Sequence, residues 1–121
     1  MNLQEIVQPL LKTKTPVVLL TPPPFEPVLR RADIDRRFPE NDGKLERTIE
    51  RTASFAQAVL EVGEQLGVPT VDVHRAFMAI AMDSDDRATG LKPLLTDGVH
   101  LTAQGYKVRL CPCSHLTPAP T

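Results

Sequence analysis

The sequence predicts an α/β domain built on parallel strands. Helical and strand-like patterns alternate along the chain, in the order helix, strand, helix, strand, helix. The run Val17–Thr21 is apolar on both faces, as a central parallel strand covered by helices would be. From about Lys44 to Leu66 apolar residues recur at spacings of three and four, the period of an amphipathic helix.

The first helix rests on Leu3, Ile6, Val7, Leu10 and Leu11, which fall on one stripe. Thr15-Pro16 ends it, because the residue before a proline is pushed out of the helical region. Pro22-Pro23-Pro24 then stops the Val17–Thr21 strand, since proline cannot donate to a ladder. Phe25 to Pro39 is charged and aperiodic, and its Arg30, Arg31, Arg36 and Arg37 are expected on a solvated loop. In the Lys44–Leu66 helix, Leu45, Ile49, Thr52, Ala53, Ala56, Val59, Leu60, Gly63 and Leu66 share a face, with Asn41 or Asp42 as its cap and Gly67 at its end. Val68 to Val73 reads as the second strand, His74 to Met82 as a short helix and Asp83 to Gly90 as a polar loop. Thr102 suits the N-cap of a last helix beginning near Ala103. From Arg109 onward the chain is proline-interrupted and aperiodic, and is expected to be disordered. Two parallel strands make a poor independent unit, so a further strand is expected beside Val17–Leu20 from outside this sequence.

With 121 residues there is room for one domain, and a net charge of -1 gives no basic surface for nucleic acid or anionic lipid. Neither a signal peptide nor a span-length apolar segment is present, which implies a soluble, cytoplasmic chain with no membrane partner. Cys111 and Cys113 flank a single proline, too close for an unstrained disulfide.

The chemistry concentrates in Asp97-Gly98-Val99-His100-Leu101-Thr102-Ala103-Gln104-Gly105. A carboxylate three residues before a histidine, on a glycine-containing turn, can accept the imidazole Nδ1–H and fix its tautomer. Nε2 is then free to take a proton from a nucleophile. This string resembles the closing motif of the SGNH (GDSL-type) ester hydrolases. The strand and proline turn Val17–Pro24, the stretch Arg51–Ala56, and Gly67–Val73 are similar to that family's elements in the same order. Within that family the sequence most resembles the isoamyl acetate-hydrolysing esterase-like group.

The resemblance implies a partial three-layer α/β/α, flavodoxin-like fold with parallel strands and its N-terminal half missing. Residues 1–108 would be the C-terminal portion of the hydrolase domain and 109–121 an aberrant tail. It further implies ester hydrolysis through an acyl-enzyme, with His100 as general base and Asp97 orienting it. Thr21, Pro22, Pro23 and Pro24 would border the pocket of a small ester substrate. No cofactor or metal is implied. The family's nucleophilic serine and oxyanion-hole residues lie in blocks this sequence lacks, so the chain alone is expected to be inactive. A non-catalytic module that self-associates through the open edge of Val17–Leu20 is the alternative.

Other residues have plainer readings. Ser54 falls mid-helix, Ser84 in an acidic loop and Ser114 in the tail, none on a turn that would expose a nucleophile. Asp72 and His74 would share a strand face and could join Asp97 and His100 around a metal, but packing or solvation is the expected role of His74. Cys111, Cys113 and His115 have no partner motif, and Tyr106 is expected to pack at the head of the last helix.

Overall fold

The computed structural model describes residues 2–83 and 90–113, with side chains as far as Arg109. Ser84 and Ser114 lie outside the described residues, as does the side chain of Cys111. The elements run α1 (Leu3–Lys12), β1 (Leu19–Leu20), α2 (Pro27–Arg37), α3 (Ile49–Leu66), β2 (Thr70–Val71), α4 (Val73–Met82) and α5 (Ala103–Cys113). β1 and β2 pair in parallel, Leu19 opposite Thr70 and Leu20 opposite Val71. The ladder is extended at both ends by Leu19 N–H to Pro69 O at 2.9 Å and Thr21 N–H to Val71 O at 3.0 Å.

Successive strand side chains point to opposite faces, and the two apolar clusters follow that alternation. Leu19 and Val68 pack with Val7 of α1 and with Val59, Val62 and Leu66 of α3. Leu20 and Val71 pack on the other side, with Phe77 and Ala81 of α4 and the buried Leu91, Leu94 and Leu95. The small sheet is therefore covered by α1 and α3 on one face and by α4 on the other.

Both strands are shorter than their apolar runs. Val17 and Val18 fall outside β1, and Val18 is 45% exposed; within β1, Leu19 and Leu20 pack into the clusters on opposite faces, and β2 is its one strand neighbour among the described residues. β2 ends at Val71 because Asp72 serves as the N-cap of α4, its carboxylate accepting from Arg75 N–H at 3.0 Å. Asp72 and His74 thus do not share a strand face.

The loop expected over Phe25–Pro39 is largely helix. Glu26 caps α2 by accepting from Leu29 N–H, and Pro27 occupies the first turn, where its missing N–H costs nothing. Asp33 pairs with Arg30, Arg36 and Arg37 at 3.3, 2.9 and 3.0 Å, and Ile34 is the buried anchor. Such three- and four-residue charge pairs support a helix with almost no apolar stripe.

α3 starts later than its periodicity suggested. Its cap is Thr48, whose hydroxyl accepts from Arg51 N–H at 3.0 Å. Asn41 instead closes a short 3-10 turn, and Asp42 follows in the left-handed region at φ 55°. Gly67 ends α3 at φ 64°, as expected. On α1, Val7 is buried, whereas Ile6, Leu10 and Leu11 of the same stripe remain exposed. α5 reaches Cys113, further than the sequence reading carried that helix, and Tyr106 on it is 51% exposed rather than packed. Among the described residues no helix is long and apolar enough to cross a membrane.

Candidate active site

Buried Leu94 and Leu95 anchor the segment that carries Asp97 and His100. Leu95 and Leu101 form an antiparallel bridge, and Thr96 N–H donates to His100 O at 2.8 Å. Thr102 N–H returns to Leu94 O at 2.9 Å, so the turn leaves the core and comes back to it. Thr102 then caps α5, its hydroxyl accepting from Gly105 N–H at 3.0 Å. Gly98 sits at φ 85°, a conformation that side-chain-bearing residues adopt at a cost.

Within the turn Asp97 uses both carboxylate oxygens. Oδ1 accepts from the backbone N–H groups of Val99 at 3.0 Å and His100 at 2.8 Å, and Oδ2 lies 2.8 Å from His100 Nδ1. Burial opposes the charged form of Asp97, but the hydrogen bonds from His100 and Val99 outweigh it and hold the carboxyl well below the usual carboxylate range. An ionised carboxylate only accepts, so Nδ1 is the donor. In the neutral ring Nε2 is then the acceptor. The His100 side chain is 75% exposed, and Nε2 makes no hydrogen bond among the described residues. The arrangement can take a proton at Nε2 and stabilise the imidazolium that results.

Two contacts hidden from the local sequence tie this turn to α2. Glu26 N–H donates to Gly98 O at 3.1 Å. Arg30 Nη1 lies 3.6 Å from Asp97 Oδ2, and the same guanidinium contacts Glu46 at 2.8 Å. An acid directly before a proline is a helix-start signal, and it could have revealed α2 and the place of Glu26.

The structure distributes the other candidates. Thr21 is 2% exposed, and its hydroxyl donates to Asp72 Oδ1 at 3.1 Å and accepts from His74 N–H at 2.9 Å. These bonds fasten the end of β1 to the start of α4. Pro22 lines an open groove, Pro23 is half-buried and Pro24 is buried. The described serine, Ser54, donates to Glu50 O at 2.9 Å within α3 and makes no hydrogen bond to His100 among the described residues. No group of three or more potential metal ligands occurs among the described residues.

No family model matches the chain. It is similar to a GDSL esterase/lipase. That relative, from Arabidopsis thaliana, is 33% identical over 110 residues, covering 88% of this chain and 43% of the relative. The chain therefore spans less than half the length of the protein it matches. The similarity supports the GDSL/SGNH esterase family, and the mixed helices with a two-stranded parallel sheet are compatible with part of such an α/β fold.

Proposed function

We propose that this chain supplies the histidine and aspartate of an SGNH-type serine esterase. The observation that carries this is the Asp97 Oδ2 to His100 Nδ1 contact at 2.8 Å, with the His100 side chain 75% exposed and its Nε2 making no hydrogen bond among the described residues. In the proposed reaction a serine hydroxyl attacks the ester carbonyl while His100 Nε2 takes its proton. His100 then returns a proton to the leaving alcohol, and water releases the acyl group by the same route. Asp97 keeps the ring in the acceptor tautomer and stabilises the imidazolium.

On this reading residues 1–108 are the C-terminal portion of a flavodoxin-like hydrolase domain. The serine and oxyanion donors come from sequence outside this chain, and a small ester is the substrate. The 43% coverage of the Arabidopsis relative supports it. So does the single strand neighbour of β1 among the described residues, which leaves an edge for a further strand.

A short-chain nitrophenyl ester tests the reading. The 121-residue chain alone is expected to match the buffer rate, and the longest in-frame product of its gene to hydrolyse the ester. Hydrolysis by the isolated chain, lost in His100→Ala, would show that no outside nucleophile is needed. Failure of the longer product would remove the esterase reading. A second reading, a non-catalytic module that self-associates through β1, draws on the exposed Val18. It requires a discrete oligomer of the chain alone.

A further inference from the structure

A groove of about 460 Å³ opens between the proline turn and the start of α3, lined by Pro22, Glu46, Arg47, Arg51, Thr52 and Phe55. Its charges are unbalanced. The Glu46 carboxylate is already held by Arg30 at 2.8 Å, whereas neither Arg47 nor Arg51 is ion-paired among the described residues. The Arg51 guanidinium lies over the Phe55 ring, 5.7 Å from its centroid, a cation–π contact that limits the freedom of both side chains. Phe55 is nonetheless 56% exposed, an apolar ring in an open position.

The groove also adjoins the Asp97–His100 turn. One guanidinium spans the two: Arg30 contacts Glu46 on the groove wall and lies 3.6 Å from Asp97 Oδ2. We propose that this groove binds a small organic carboxylate with an apolar body. Resting on the esterase reading, this makes the substrate an ester that carries a free carboxylate on its acyl or alcohol side.

The chemistry fits the lining. Guanidinium groups match a carboxylate with paired, charge-assisted hydrogen bonds. Pro22 and Phe55 give the body of the ligand an apolar wall. Two arginines, Arg47 and Arg51, face the groove against the single acid Glu46, which is itself paired with Arg30, so the lining keeps an excess of positive charge.

The test is a titration of the full chain with phenylacetate, followed by the backbone amide signals of Thr52 and Phe55 and the Nε–H of Arg51. Benzyl alcohol and inorganic phosphate serve as comparison probes. The expected result is saturable binding of phenylacetate that weakens as salt is raised. Arg47→Gln and Arg51→Gln should each weaken it about tenfold. Arg75→Gln removes an exposed arginine of α4 that does not line the groove, and should leave binding unchanged.

Equal binding of benzyl alcohol would overturn the role of the arginines. Phosphate binding as tightly as phenylacetate would overturn the role of the apolar wall. Equal losses in all three arginine variants would reduce the effect to net charge and overturn the site. The readout needs no catalysis, so the groove and the esterase reading can fail separately. Binding without hydrolysis by the longer product removes the esterase, and hydrolysis without binding removes the groove.

Discussion

Asp97→Asn should lower kcat for ester hydrolysis about ten-thousand-fold in the longer, serine-bearing product, while leaving the fold intact. The asparagine carbonyl can keep accepting from Val99 and His100 N–H, the two bonds that shape the turn. Its amide NH₂ then stands where Oδ2 now faces Nδ1 at 2.8 Å. Two donors cannot share that contact, so the ring adopts the tautomer with Nδ1 as acceptor and Nε2 protonated. A protonated Nε2 cannot take the serine proton. The expected signature is a fall in kcat with little change in KM and an unfolding midpoint close to wild type. Loss of less than tenfold in kcat would mean that the pair does not serve as the base.

Gly98→Ala is expected to reduce stability by about 3 kcal/mol, through strain at positive φ plus collision. A Cβ on Gly98 would lie 2.3 Å from Glu26 O and 2.8 Å from Arg30 N. Both are backbone atoms of the α2 start, so no side chain can swing aside. The turn and α2 must separate, which breaks the Glu26 N–H to Gly98 O bond and moves Arg30 away from Asp97. Gly67→Ala is the matched control. It shares a positive φ, 64°, but its Cβ would meet nothing within 4 Å. It should cost about 1 kcal/mol, the strain alone. Urea unfolding of the two variants reads the difference directly. Equal losses would contradict the tight docking of the turn on α2.

These contacts explain which parts of the molecule the sequence could disclose. The Asp97–His100 pairing is local: three residues and a glycine place both groups, and the pattern is visible in one line of sequence. α3 was visible for a similar reason, because its buried face repeats at helical spacing over many turns. α2 was not, since its support comes from the Glu26 cap and the charge pairs around Asp33, with Ile34 as its buried apolar anchor. Strand lengths were overestimated because apolar character does not mark where backbone pairing stops. Asp72 ends β2 by capping α4, and Thr21 ends β1 by bonding to that same cap. The placement of Arg30 between Glu46 and Asp97 joins elements distant in the chain, and no local pattern encodes it.

The most direct test of His100 as the base of a serine esterase is the rate at which a fluorophosphonate labels the longest product of the gene, with and without His100→Ala. Rapid labelling of one serine outside this chain is expected, with a fall of about a thousandfold or more in the variant. Labelling that proceeds equally fast without His100 would contradict it.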